Sequence, residues 1–251
     1  MKKLYSIIIS SGLFFLFFFA IGNFMPILSL YLKDILKFSN QQTGLIMSLV
    51  LVSSLLSPLL SSFVIDRIIT KKWLLFICSL FSAGLLFNLS YCKSYFAFMI
   101  SYVLYIVFSS PVLGIIIALA LDKIDNKDNF GKVRLFGTLG WIFASMFFGF
   151  FWIDRFGYDR LGDSFIFAGI SFLCFAIFAL TLRDDKLKDR LVVNKRKSIL
   201  NLIPRDALKD LSKPNLRSAL LLYFIGYLLE SINIFGASPF LKQIGVNPTF
   251  L

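Results

Sequence analysis

Long apolar runs alternate with short polar segments along most of the chain. A run of about 18 or more apolar residues is long enough to cross a bilayer as a helix, since about 20 residues at 1.5 Å each span roughly 30 Å. Seven runs meet this length: Leu4 to Leu32, Gly44 to Ile65, Trp73 to Tyr91, Tyr95 to Leu121, Val133 to Ile153, Ser164 to Leu182 and Leu216 to Phe240. The pattern predicts an all-α integral membrane protein.

Basic residues between the runs are distributed unevenly. If the N-terminus lies inside, 20 of the 26 Lys and Arg residues fall in inside segments and six in outside segments. Loops on the cytoplasmic side carry such an excess of Lys and Arg. The distribution therefore predicts a multi-pass protein of the inner (plasma) membrane with a cytoplasmic N-terminus. It also accounts for the net charge of +12, so nucleic acid is not expected as a partner.

The spacing of the runs predicts three regions. Residues 1–182 form a six-helix transmembrane half, and residues 183–215 form a charged cytoplasmic loop. Within that loop, Ile199 to Leu211 has the apolar spacing of a short amphipathic helix at the membrane surface, with a solvated linker as the alternative. Residues 216–251 then supply the first helix of a second, incomplete half.

Runs one and seven end in similar ways. Lys33 and Lys242 each follow a Leu at the end of an apolar run, and a short polar loop comes next. The match indicates a parallel repeat of two six-helix halves. Because the sequence stops at Leu251 where an eighth run is due, we expect a truncated chain, with a missing C-terminal half as its partner.

Composition limits the chemistry that the chain can perform. The sequence has no His, so no site can use an imidazole as metal ligand or as a near-neutral acid or base. Cys78, Cys92 and Cys174 are widely spaced in or beside apolar runs, and we interpret them as small core residues. We expect no metal, no cofactor and no enzyme activity; a membrane-embedded enzyme or a subunit of a membrane complex is the less favoured alternative.

The segment after run two carries a recognisable pattern. Ser62 is followed, after three residues, by Asp66 and Arg67 and then by Lys71 and Lys72. This resembles the motif that joins helices two and three in the major facilitator superfamily. The resemblance implies that these four charged residues form a gating motif, in which Asp66 pairs with cations in one state and releases them in the other. The implied fold is the six-helix N-terminal half of that superfamily plus a seventh transmembrane helix.

The start of run five carries a second resemblance. The stretch Asn129 to Trp141 is similar to the corresponding stretch in the lactose permease and nucleoside:proton symporter branch of that superfamily. Arg134 and Trp141 fall on its substrate-binding Arg and stacking Trp, and they lie two helical turns apart. Ala118 stands where a carboxylate partners that Arg in the lactose permease, so a nucleoside or another polar solute stays open as substrate. Anchoring of run five at the inner interface is the alternative role for Arg134.

Gly137 and Gly140 lie in the same stretch. Small residues let a second helix approach closely in a membrane bundle. We therefore expect another helix to pack against this face of run five.

Glu230 is the only Glu and lies near the middle of run seven. A carboxylate at this depth is costly unless it is paired, protonated or facing water, so it is our candidate for proton coupling. Pairing with a cation in a missing helix is the alternative. Asn233 shares its face and is a candidate ligand for substrate hydroxyls.

Asn23 and Pro26 lie deep in run one. There, we expect Pro26 to bend the helix and Asn23 to turn an amide toward the substrate, or to bond a neighbouring helix. The loop from Asp154 to Asp163 is expected to be a solvated turn.

Together these features predict a secondary transporter that moves a small polar solute, such as a nucleoside or a sugar, by alternating access and in symport with protons. The alternative is a truncated, non-transporting remnant of such a transporter. The partners expected are the small-molecule substrate, a proton and the lipid bilayer.

Overall fold

The computed structural model describes residues 2–50, 70–123, 128–182 and 214–245. Within these ranges the regular structure is helical, with no strand. Residues 40–50 are helical and are called α2. The other long helices are α1 (Lys2–Gly22), α3 (Lys71–Tyr91), α4 (Tyr95–Lys123), α5 (Asp128–Met146), α6 (Asp163–Ala179) and α7 (Pro214–Gln243).

Three helical stretches in the described ranges are long and apolar enough to cross a membrane: Lys71–Tyr91, Tyr95–Leu121 and Phe130–Phe156. Two shorter apolar stretches, Ile7–Gly22 and Asp163–Ala179, accompany them. These five stretches correspond to predicted runs one and three to six. The third stretch is a composite, because α5 ends at Met146 and the chain continues as a π-helical segment, Phe147–Ile153, and a single turn, Asp154–Phe156.

The first apolar run is not one helix. α1 ends at Gly22, residues 23–27 form turns, and helical structure resumes as Leu28–Leu30 and the π-helical segment Tyr31–Ile35. The break falls beside Pro26, which has no backbone N–H and cannot continue the hydrogen-bond ladder. The bend predicted from Pro26 is therefore confirmed, in the form of an interruption.

The core lies where α1, α3, α4, α5 and α6 pack together. Phenylalanine rings join the first apolar run to α6. The ring centroids of Phe17 on α1 and Phe172 lie 6.0 Å apart, and those of Phe24, in the turns after α1, and Phe165 lie 5.4 Å apart. All four rings are buried. Large aromatic side chains thus fill the interior, in agreement with the 31 Phe residues of the sequence.

The outer faces of these helices are apolar as well. Exposed large apolar side chains occur on all five of them, for example Ile8 on α1, Phe81 on α3, Leu104 on α4, Phe143 on α5 and Ile177 on α6. Helices that are apolar all round are typical of bundles that face lipid rather than water.

Two expectations from the sequence require correction. Of the three free cysteines, Cys78 is buried and Cys92 is intermediate, but Cys174 is exposed on α6 and is not a core residue. A run of apolar residues does not reveal which helix face points inward. The loop from Asp154 to Asp163 is more than a solvated turn: the Trp152 indole N–H donates to the Asp163 carboxylate at 2.9 Å, and Arg160 lies 2.9 Å from the same oxygen.

Candidate functional site

One face of α5 packs tightly on α1 through small residues. Along α5, Val133, Gly137, Gly140 and Ala144 recur at helical spacing, and all four are buried. A Cβ on Gly137 would lie 2.7 Å from the Phe18 ring, and a Cβ on Gly140 would overlap the backbone carbonyl of Phe15. The close helix approach predicted from the two glycines is therefore confirmed, and its partner is α1.

α1 contributes a glycine of its own to this contact. A Cβ on Gly22 would lie 2.9 Å from the Cα and the carbonyl oxygen of Trp141. The end of α1 and the backbone at Trp141 therefore touch directly, which small residues make possible inside a lipid-embedded bundle.

A polar stripe runs along α5 beside this packed face. It consists of Arg134, Thr138, Trp141 and Ser145, spaced four, three and four residues apart, so all lie on one side of the helix. Arg134 and Thr138 are exposed, and Trp141 and Ser145 are half-buried. Arg134 and Trp141 thus lie on one face of α5. Seven residues at a rise of 1.5 Å per residue separate their backbones by about 10 Å along the helix axis.

Thr138 and Ser145 belong to the stripe although no motif in the sequence marks either of them. Much of the rest of α5 is apolar, as at Leu135, Ile142 and Met146, so Thr138 and Ser145 stand out beside Arg134 and Trp141 on a helical wheel. Short polar side chains were overlooked because Ser and Thr also occur widely as packing residues in membrane helices.

Ser145 supports the interrupted end of α1. Its hydroxyl lies 3.1 Å from the carbonyl oxygens of both Gly22 and Trp141, to which it donates. In a continuous helix the N–H of residue 26 would bond the Gly22 carbonyl, and Pro26 lacks that N–H. A side chain on α5 thus supplies the missing donor, as is required where no water reaches the backbone.

Asn23 lies directly after this carbonyl and is buried, with 1% of its surface exposed. Its amide N–H donates to the Phe19 carbonyl of its own helix at 2.7 Å, not to a neighbouring helix. The buried amide oxygen has no hydrogen-bond partner in the part of the chain that the structure describes. A solute could bind this oxygen only after the surrounding helices moved apart.

The remaining predicted site residues are less closely defined. Lys71 and Lys72 are half-buried in the first turn of α3, while Asp66 and Arg67 lie outside the described residues. Glu230 and Asn233 belong to α7, but their side chains are not among those described. The structure therefore places Asn23 next to Gly22, whose backbone meets that of Trp141, and it places Arg134 on the same stripe as Trp141.

The described residues contain no cluster of side chains that could form a metal centre. Across residues 2–50, 70–123, 128–182 and 214–245, no group of three or more Cys, Asp or Glu side chains could hold a metal ion. The polar stripe offers hydrogen bonds, a charge and an aromatic ring, which are means of binding a solute.

An apolar helical bundle with glycine contacts and one polar helix face is typical of membrane transport proteins. The model of the MFS_1 like family matches residues 7–251. The chain belongs to this family and is a member of the major facilitator superfamily of membrane transporters.

Two permeases are similar to the chain in sequence. The maltose permease of Geobacillus stearothermophilus is 29% identical over 173 residues, which cover 68% of this chain and 42% of that protein. The nucleoside permease NupG of Escherichia coli (strain K12) is 24% identical over 245 residues, covering 94% of this chain and 56% of that protein.

Crystal structures of NupG share the fold. A variant with one substitution superposes with a TM-score of 0.77 at 24% identity, over 100% of this chain and 60% of that one. A second NupG structure gives a TM-score of 0.74 at 23% identity. The chain thus spans about half the length of the relatives that it matches.

Proposed function

We propose that the protein is a secondary transporter that moves a small polar solute, such as a nucleoside or a sugar, across a membrane by alternating access. The polar stripe of α5 carries this proposal, because a cationic side chain, two hydroxyls and an indole on one helix face form a surface for a hydroxyl-rich solute. Because the surfaces around this face are apolar, we expect such a solute to bind at the stripe.

Each residue of the stripe has a distinct role in this proposal. Arg134 offers a planar fork of N–H donors to hydroxyl or carbonyl oxygens, and the Trp141 ring offers a flat surface to a sugar or base. The names of the relatives fit this chemistry, since a nucleoside permease and a maltose permease both take neutral, hydroxyl-rich solutes. Asn23 and Asn233 would add amide contacts when the bundle opens.

Proton coupling is proposed for Glu230 on α7. The chain has no His and no other Glu, and a carboxylate in the middle of an apolar helix is stabilised by taking up a proton. Protonation from one side and release to the other would couple the solute to the proton gradient. In the alternative that pairs Glu230 with a cation, it would have no such role.

Two transmembrane halves joined by a cytoplasmic loop form the architecture of this proposed transporter. Residues 1–182 form a six-helix half, residues 183–215 a cytoplasmic loop, and residues 216–251 begin a second half, with the N-terminus inside. Two halves that rock about a site at their interface expose it alternately to each side. Asp66, Arg67, Lys71 and Lys72 would form the inner gate of this movement.

Uptake of radiolabelled uridine and maltose into cells that express the protein tests the stripe. Arg134→Ala should reduce uptake at least tenfold, because one charge-assisted hydrogen bond contributes about 1.5–3 kcal/mol. Arg134→Lys should restore it only in part, since Lys lacks the planar fork. The matched control is Lys132→Ala, which removes an exposed charge from another side of α5. Equal uptake in all four proteins would contradict the proposed role of Arg134.

Glu230→Gln separates coupling from binding. The variant should lose accumulation against a concentration gradient and keep exchange of labelled for unlabelled solute, because Gln cannot release a proton. The measurement compares net uptake under an imposed pH gradient with exchange at equal pH. Accumulation that survives in Glu230→Gln would assign proton coupling to another group.

A further inference from the structure

Three elements that are distant in sequence meet at one end of the bundle. They are the π-helical segment Tyr31–Ile35, the short 3₁₀ turn Tyr158–Arg160 and the C-terminal turn of α7. Each contributes one polar side chain to the meeting point, namely Asp34, Tyr158 and Lys242. The distribution of basic residues predicts that this end faces the outside.

The three side chains form one connected cluster. The Lys242 ammonium lies 2.6 Å from Asp34 Oδ2, and the Tyr158 hydroxyl donates to the same oxygen at 2.5 Å. The Lys242 Nζ also lies 3.4 Å from the Tyr158 oxygen and 4.6 Å from the centre of its ring. We call Asp34, Tyr158 and Lys242 the clasp.

Asp34 and Tyr158 are half-buried, whereas Lys242 is exposed; partial burial of Asp34 strengthens its interactions relative to a pair in open water. The side chains of Lys242 and Asp34 are 41% and 29% exposed. Partial burial acts to raise the pKa of Asp34, but hydrogen bonds from Lys242 and Tyr158 and the charges of Lys242 and Lys37 outweigh it and lower that pKa. Burial and the Asp34 carboxylate raise the pKa of Tyr158, so its hydroxyl remains a donor at neutral pH.

Two residues of the clasp lie within residues 1–182, and the third lies on α7. Asp34 and Tyr158 lie within residues 1–182, where the Trp152–Asp163 and Arg160–Asp163 contacts hold the turn that carries Tyr158. Lys242 belongs to α7. The same helix also packs on the Leu28–Leu30 segment, which precedes Asp34 in the chain. The Asp34–Tyr158 pair can therefore persist while Lys242 leaves.

We propose that the clasp is a latch that holds α7 against the end of the first helical run and keeps this mouth of the transport path closed. The inference rests on the proposed alternating-access function. Opening this mouth must separate Lys242 from Asp34 and Tyr158, and closing it restores one ion pair, one hydrogen bond and one cation–π contact. The latch thus sets how often the mouth opens.

The accessibility of a cysteine behind the clasp tests the latch without any transport measurement. Ser29 is buried in the Leu28–Leu30 segment, against which α7 packs. Ser29→Cys, in a background of Cys78→Ala, Cys92→Ala and Cys174→Ala, would react with a membrane-impermeant maleimide when the mouth opens. Labelling rates are measured in right-side-out and inside-out vesicles, so that the reactive side is identified as well.

Asp34→Asn and Lys242→Gln should each raise the labelling rate about two- to fivefold, the factor that corresponds to a pair worth up to about 1 kcal/mol. Tyr158→Phe, which keeps the ring and removes the hydroxyl, should raise it less. The charge exchange Asp34→Lys with Lys242→Asp should return the rate toward that of the parent. Asp159→Asn is the control, because it removes an exposed charge next to Tyr158.

Equal labelling in the parent and in the single variants would overturn the latch, and so would a charge exchange that labels as fast as the single variants. Increased labelling that the exchange reverses would support it, even if uridine and maltose uptake failed. Loss of the transport proposal and loss of the latch are therefore separate results.

Discussion

The contact between α1 and α5 depends on three residues without side chains. Gly22, Gly137 and Gly140 lie where a Cβ would meet atoms of the other helix. The three positions are unequal, because Gly137 faces the edge of the Phe18 ring, which can rotate, whereas Gly140 faces backbone atoms of α1, which cannot move alone. Backbone-to-backbone approach of this kind gives membrane helices much of their packing energy.

Gly140→Ala should therefore destabilise the protein more than any other glycine substitution on α5. We expect the free energy of unfolding to fall by about 1–3 kcal/mol, the usual cost of forcing extra volume into a packed interface. Gly131→Ala on the same helix is the control, since no atom lies within 4 Å of its Cβ position and Ala favours a helix by about 1 kcal/mol. Thermal unfolding in detergent measures both, and equal midpoints would contradict the assigned contact.

The sequence was sufficient to predict the glycine contact on α5 but not its partner. A Gly137–Gly140 pair in an apolar run indicates close approach of some helix, because few other reasons place two glycines three residues apart there. Phe15 and Phe18 of α1 are separated from Gly140 and Gly137 by more than 115 residues. Local patterns contain no information about such pairings.

At the scale of the helix, α5 supplies the hydrogen-bond donor that is missing at the interrupted end of α1. Pro26 removes one donor, the Gly22 carbonyl loses its helical partner, and the Ser145 hydroxyl replaces it from another helix. A second proline, Pro111 in α4, shows a similar local solution, because the Ser110 hydroxyl donates to the Val107 carbonyl at 3.5 Å.

Ser145→Ala should lower the free energy of unfolding by about 0.6–2 kcal/mol, because it leaves a carbonyl in an apolar interior without a donor. Ser171→Ala is the matched control: its hydroxyl donates to the Phe167 carbonyl within α6 at 2.7 Å. In a Pro26→Ala background, residue 26 regains an N–H for the Gly22 carbonyl, so Ser145→Ala should cost less. Thermal unfolding midpoints measure the loss of stability in each background. An equal loss in the parent and in Pro26→Ala would contradict the proposal that Ser145 replaces the missing N–H of residue 26.

Hydropathy predicted most helix positions well. The predicted run from Tyr95 to Leu121 corresponds to Tyr95–Lys123, and that from Trp73 to Tyr91 corresponds to Lys71–Tyr91. It could not show where run five changes from α to π geometry at Phe147, because the change alters hydrogen-bond register and not composition. Ser39 and Gln42, by contrast, match the Ser-x-x-Gln pattern of a capping box and could have been predicted from the sequence; their reciprocal hydrogen bonds of 2.9 and 3.2 Å form that box at the start of α2.

At the scale of the whole molecule, one charged cluster joins two regions that are 208 residues apart. The similarity of the sequences around Lys33 and Lys242 indicated that runs one and seven end alike, but not that the ends touch. An ion pair between distant segments leaves no periodic trace in a sequence. Asp34, the partner of Lys242, was therefore not singled out.

The clasp should be insensitive to pH between 5 and 8. The pKa of Asp34 is lowered in the folded protein, so its stabilising contribution is present above the carboxyl's unperturbed pKa and is lost as the pH falls through the lowered value. Tyr158 stays neutral throughout this range, because burial and the Asp34 carboxylate raise its pKa. Loss of the clasp is therefore expected only below about pH 4.

Spin labels on Asp159→Cys and Gln243→Cys, in the cysteine-free background, report this behaviour as a distance between the two regions. The distribution should stay narrow from pH 8 to pH 5 and broaden below about pH 4. The same labels with Asp34→Asn should give the broad distribution at every pH. A transition near pH 6 would identify a different titrating group as the one that holds the regions together.

The hydrogen bond between Ser145 and Gly22 also has a consequence for biogenesis. The two residues are 123 positions apart, and a ribosome adding about 5–20 residues per second needs roughly 6–25 s to make that length of chain. Throughout this interval the newly inserted first helix carries an orphan carbonyl at its broken end. The donor from Ser145 becomes available only when α5 emerges, so the end of α1 can reach its final hydrogen bonding only after this serine has been made.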